Sequence, residues 1–215
     1  MRTRPRPFRA ARHLAVASLL VLVAACSPAA EPDPPADTGG ERLATSLTAL
    51  FEQELEDAEL SEFERDVFER AVATGEISDA DYEEAFARFD RCVRDLGYEQ
   101  VAEKASNGIY RITPPDLADE AAVEEYLERT GDCAEHTTMR IEALYAQQQV
   151  NPDLLADPAA VAAGCLVDLG AVPADYDAEA FERDFDGDLD AASFDAQDPE
   201  VQACLHGAGY AVAAG

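Results

Sequence analysis

Ser78-Asp79-Ala80-Asp81-Tyr82-Glu83-Glu84-Ala85-Phe86-Ala87-Arg88-Phe89-Asp90-Arg91-Cys92-Val93-Arg94-Asp95-Leu96-Gly97 holds a whole amphipathic helix with its start and stop signals. Ser78 is an N-cap, whose hydroxyl oxygen can accept one of the unpaired N–H groups of the first turn. Tyr82, Ala85, Phe86, Phe89, Cys92, Val93 and Leu96 recur at intervals of three and four, which puts them on one face. Gly97 ends the run.

A shift of 73 residues carries Cys92 onto Cys165 and Leu96-Gly97 onto Leu169-Gly170. The same shift sets Glu69 on Glu142, Ile77 on Val150, Ser78 on Asn151 and Tyr82 on Leu155. The unit reads cap, helix, Cys-(Val/Leu)-x-x-Leu-Gly. Cys133 follows Cys92 by 41 residues and Cys204 follows Cys165 by 39. Four cysteines allow three pairings. The near-equal spacing favours Cys92–Cys133 and Cys165–Cys204, one bridge per unit, each closing a loop worth about 3–4 kcal/mol on the chain-entropy argument.

That pairing presupposes an oxidising compartment, and the N-terminus predicts one. Arg2, Arg4, Arg6, Arg9 and Arg12 precede an apolar run that ends Val23-Ala24-Ala25-Cys26. A basic start, a short apolar core and small residues before the cut describe a secretory signal. Cysteine directly after them resembles the lipobox of bacterial lipoproteins. Residues 1–25 are therefore expected to be a signal peptide and Cys26 the lipidation site, carrying a covalent diacylglycerol and palmitate. His13 to Ala25 is too short to span a bilayer comfortably. Residues 26–42 form the lipidated cysteine and a tether with Pro28, Pro32, Pro34 and Pro35. At about 3.1 Å per residue this could hold a domain on the order of 40 Å from the lipid.

Residues 43–140 are expected to form helical unit 1 and residues 141–215 helical unit 2. Leu43, Leu47, Leu50, Phe51 and Leu55 mark a first helical face. Ser61 and Glu64 form a capping box before Phe63, Val67, Phe68, Ala71 and Val72, with Gly75 as the stop. Near residues 98–112, Val101, Ile109, Tyr110 and Ile112 flank Asn107-Gly108, the signature of a short β-hairpin. A helix through Tyr126 is expected to stop near Gly131, and another to run from about Cys133 to Gln149. Asn151-Pro152, Asp157-Pro158 and Asp198-Pro199 each place a cap before a proline, a helix-opening pattern. Asp177 to Phe185 forms a further short helix. The fold class is thus mainly α.

Without residues 1–25 and their five arginines, 11 of 16 basic residues remain against all 45 acids, so the formal charge goes from −29 to −34. Such a surface repels nucleic acid and anionic lipid. It favours cations or a basic protein or envelope partner. The chain is 47% hydrophobic, with aromatics at helical spacing, which argues for a folded domain rather than an acidic disordered tract.

The residue types suggest three chemistries. Cys133-x-x-His136 and Cys204-x-His206 have zinc-ligand types, but bridged cysteines offer no thiolate. Asp184, Asp186, Asp188 and Asp195 stand at positions 1, 3, 5 and 12 of a calcium-type loop, yet Leu189 takes the sixth position, where glycine makes the turn. The segment is a candidate for low-affinity cation or small-ligand binding, and no metal site is assigned. G-x-S-x-G, H-E-x-x-H and the phosphate-binding loop are missing from the sequence. A carboxylate-dependent hydrolase of the envelope is the remaining enzymatic alternative, and no catalytic residue is assigned.

The run from Leu60 to Leu155 resembles an uncharacterised group of actinobacterial lipoproteins. Ser61-Glu62-Phe63-Glu64-Arg65-Asp66-Val67, Asp81-Tyr82-Glu83-Glu84-Ala85, Cys92 with Gly97-Tyr98, Asn107-Gly108 and Asn151 to Pro158 carry the resemblance. It implies an exported, anchored protein and brings no activity, cofactor or catalytic residue. The expectation is an extracytoplasmic lipoprotein on the outer face of the cell membrane, with a non-catalytic binding or envelope role.

Overall fold

The computed structural model describes residues 40–57 and 59–212. The signal, Cys26 and most of the tether lie outside these residues. Eight α-helices and one two-stranded antiparallel hairpin make up the described chain. The order is α1 (Leu47–Leu55), α2 (Glu62–Thr74), α3 (Asp79–Asp95), β1 (Val101–Lys104), β2 (Tyr110–Thr113), α4 (Glu120–Glu135), α5 (Met139–Val150), α6 (Pro158–Leu169), α7 (Ala178–Phe185) and α8 (Pro199–Gly207). A short 3-10 turn, Leu189–Ala191, lies between α7 and α8.

Local chemistry explains most of the boundaries. Ser61 accepts from Glu64 N–H while the Glu64 carboxylate accepts from Ser61 N–H, so the capping box is complete. Ser78 caps α3 through Asp81 N–H, and Asp157 and Asp198 cap α6 and α8 ahead of their prolines. The hairpin pairs Val101 with Thr113 and Lys104 with Tyr110. Its loop turns at Gly108, whose φ of +83° suits glycine and whose missing Cβ makes room for the Tyr145 hydroxyl.

Four expectations require correction. Leu43 precedes α1 instead of joining its face; its N–H donates to the Leu154 carbonyl, and Arg42 bridges to Leu155 in a short antiparallel contact. Gly131 does not stop a helix: α4 continues to Glu135 because Thr130 and Cys133 are buried and hold that turn in place. The break falls at His136–Thr138, so Cys133 belongs to the last turn of α4 and not to the start of α5. Asn151-Pro152 opens no helix. Asn151 is buried at the end of α5, where its side chain donates to Gln147 Oε1 and to the Leu155 carbonyl. The repeat therefore aligns α6 with only the later part of α3, around the cysteines.

Both cross-links are present as the spacing predicts. Cys92 and Cys133 join α3 to α4 with Cα atoms 5.8 Å apart, and Cys165 and Cys204 join α6 to α8 at 5.7 Å. Phe51, Val67, Phe68, Ile77, Tyr82, Ile141 and Tyr145 form the larger N-terminal core, with Phe86, Phe89 and Val93 clustered beside the first bridge. Ala162, Leu166, Phe181, Val201 and Leu205 form the C-terminal core. Each fully buried large apolar side chain contributes roughly 1.5–3 kcal/mol. Helix α5 serves both groups: Ile141, Leu144 and Tyr145 face the first, and Val150 joins the second.

Candidate functional site

A cleft of about 480 Å³ opens where α5 meets the hairpin, α3 and the end of α8. Phe86 and Phe89 come from α3, Ile109 and Ile112 from the hairpin, and Ala143 and Ala146 from α5. His206, Gly207, Ala208 and Gly209 supply the side formed by α8. This size falls within the range of about 300–1,000 Å³ for small-molecule sites. Most of the lining is apolar, and the polar exceptions are few.

Sequence alternation on α5 builds one wall. Ile141, Leu144 and Tyr145 turn into the N-terminal core, which leaves Met139, Glu142, Ala143 and Ala146 toward the cleft. Met139 is 52% exposed at the margin. Close approach builds another: a Cβ on Gly207 would lie 2.6 Å from Val150 Cγ1, so only glycine lets α8 sit this near α5. The two bridges secure facing walls. Cys92–Cys133 fixes α3 beside Phe89 and Ala134, and Cys165–Cys204 fixes α8 two residues before His206.

Glu142 is the acid in this lining. One of its oxygens, Oε2, accepts the Tyr82 hydroxyl at 2.8 Å, and the same hydroxyl accepts Tyr110 N–H at 3.0 Å. The other carboxylate oxygen has no hydrogen-bond partner among the described residues. Burial pushes the Glu142 carboxyl up from the ordinary glutamate range, while the Tyr82 hydrogen bond and nearby His206 pull it back. Burial likewise raises the Tyr82 hydroxyl, and the neighbouring carboxylate adds to the shift.

Aromatic packing holds this network still. Tyr82 stacks on Tyr145 with centroids 4.2 Å apart, and Tyr110 stacks on Phe86 at 3.8 Å. The Tyr145 hydroxyl donates to Asp79 at 2.7 Å, and the Tyr110 hydroxyl donates to Glu83 at 2.6 Å. Glu83 pushes the Tyr110 hydroxyl up to about 12. Lys104 in turn pairs with Glu83, and its hydrogen bond lowers that carboxyl. The carboxylate facing the cleft is thus backed by a rigid row of rings.

The residues singled out by sequence fall elsewhere, with one exception. His136 is exposed at the end of α4, and its carbonyl accepts from the Ser61 hydroxyl. His206 lines the cleft, beside Glu142 and far from any free thiol, since Cys133 and Cys204 are bridged. Asp184 accepts from the Tyr176 hydroxyl and Ser193 N–H; these bonds outweigh burial and keep its carboxyl below the usual range. Asp186 ends α7, Asp188 caps the 3-10 turn, and Asp195 accepts from Gln197 N–H. Among the described residues no group of three or more His, Cys, Asp or Glu is arranged to hold a metal ion. None of the described helices is long and apolar enough to cross a membrane.

Glu142 entered the sequence argument only as the partner of Glu69 in the repeat. Glu69 is exposed on α2, whereas Glu142 is half-buried. The available signal was an acid set directly between core residues Ile141 and Leu144. Its partners, 60 positions away at Tyr82 and on α8, depend on the tertiary fold. No family model, no curated protein and no solved structure matches this chain.

Proposed function

We propose that this chain is an extracytoplasmic lipoprotein, anchored through Cys26, that binds a small and largely apolar molecule without chemical turnover. The observation that carries the binding role is the cleft itself: largely apolar walls on a disulfide-fixed frame, with one carboxylate in the lining, held by the Tyr82 hydroxyl. The basic leader, Val23-Ala24-Ala25-Cys26 and the proline-rich tether support the anchoring, as does the resemblance of residues 60–155 to actinobacterial lipoproteins. The strongly negative charge favours a location offset from the lipid surface, which the tether would supply.

Absence of turnover is supported by the composition of the lining. Hydrolysis by paired carboxylates needs two acids about 5–10 Å apart across the reacting bond. Glu142 stands alone among the acids lining this cleft in the described residues.

Binding of Nile red, an uncharged apolar dye, tests the role. The expected result is saturable fluorescence enhancement with the wild-type protein and loss of it in Ala143→Trp, which fills the cleft from an exposed position on α5. Equal enhancement in both proteins, or none in either, would contradict the binding role.

A further inference from the structure

From the cleft's single acid and the absence of lysine and arginine from its lining, we infer that its ligand is an organic ammonium, with an apolar body in the cleft and the cationic head on Glu142. The inference rests on the binding role proposed above and names the chemistry of the ligand.

Charge complementarity selects the cation. No lysine or arginine lines the cleft. The cationic side chains nearest on the hairpin are already engaged: Lys104 pairs with Glu83, and Arg111 pairs with Glu103 and Gln202. An anionic head would meet the Glu142 carboxylate with no lysine or arginine in the lining to offset it, and the acidic surface would oppose its approach. An uncharged hydroxyl head could donate to the second Glu142 oxygen but would bring no charge to balance the carboxylate, and a charge-assisted bond is the stronger one. An ammonium supplies both the donor and the charge.

The aromatic lining favours the same class. Phe86 and Phe89 stand on the wall formed by α3, and a cation close to an aromatic face gains electrostatic attraction. Tyr82 already occupies Oε2, so the carboxylate is oriented before the ligand arrives. His206 is exposed at the α8 side, where water can solvate it. The walls of Ile109, Ile112, Ala143 and Ala146 suit a hydrocarbon body, and the side-chain donors of the lining are confined to Thr138, Gln147 and His206.

The same head group could arrive free or on a lipid. The proline-rich composition of the proposed tether suits a domain held off the bilayer, which favours a free amine.

Calorimetric titration of the full chain carrying Cys26→Ala, which keeps acyl chains out of the sample, separates the alternatives. Three probes share one body: octylammonium, octanol and octanoate. The expected order is octylammonium at least about tenfold tighter than octanol, with octanoate weakest. In Glu142→Gln the preference for octylammonium over octanol should vanish while octanol binding persists, which also reports that the variant is folded. Octanol or octanoate binding as tightly as octylammonium would overturn the ammonium assignment and leave the cleft intact as a binding site. No binding by any probe, or binding unaffected by Ala143→Trp, would overturn both. Tighter binding of dihexanoylphosphatidylethanolamine than of octylammonium would overturn the free-amine assignment.

Discussion

Glu142 links stability to pH through its burial. Its carboxyl is raised in the folded state, so the folded chain holds this proton more tightly than the unfolded one. The resulting stabilisation is fully present below the ordinary glutamate value of 4.5 and is lost as pH rises through the elevated folded value. Glu142→Gln keeps an acceptor for Tyr82 and removes the ionisation. Urea unfolding should therefore find the variant more stable than wild type at pH 7 and the two alike near pH 4; a variant weaker at pH 7 would contradict the burial argument. Gly207 makes the second residue-scale claim. Gly207→Ala drives a methyl group into Val150, a stiff β-branched side chain, and should cost about 1–3 kcal/mol. It should also weaken Nile red binding, because α8 must move off α5.

At the scale of elements, the cross-links act on the walls of the cleft. Replacing Cys165 and Cys204 together by alanine should lower stability by about 3 kcal/mol in urea unfolding and loosen the α8 wall. Dye affinity should fall with it. Most helices and both bridges were legible because their determinants are local: Ser61 with Glu64, Asp157 with Pro158, and equal cysteine spacings. The misplaced boundaries share one cause, tertiary override of a local signal. Gly131 costs helix stability by about 1 kcal/mol, yet the buried Cys133 holds its turn inside α4. Asn151-Pro152 has the form of a helix start, but the Asn151 side chain closes α5 and the following turn instead.

For the whole molecule, the proposed function assigns different roles to the N-terminal segment and to the helical part. In the proposed reading the N-terminal 42 residues carry the export and anchoring signal, and the disulfide-framed helices hold the cleft. Cys26→Ala should move the protein from the membrane fraction to the soluble fraction of an expressing bacterium, leaving dye affinity unchanged. Retention in the membrane fraction would contradict lipid anchoring at Cys26. The cleft could not be read from sequence because it assembles from α3, the hairpin, α5 and α8, whose contacts span up to 60 positions and more. Cys133, His136, Cys204 and the Asp184–Asp195 segment drew attention because their residue types suit metals. In the described structure the cysteines are bridged, His136 and Asp186 follow the ends of α4 and α7, and Asp184, Asp188 and Asp195 accept hydrogen bonds within turns.

Met139 offers the most direct test of the central claim, that the cleft around Glu142 is a ligand site. The chain has two methionines, and Met1 falls within the predicted signal, so Met139 is the single methionine reporter in the folded domain. It lies at the cleft margin. In a methyl-labelled sample, titration with octylammonium should shift the Met139 methyl resonance saturably in the wild-type protein and leave it in place in Ala143→Trp. A Met139 resonance unmoved in the wild type, or moved equally in both, would contradict the account.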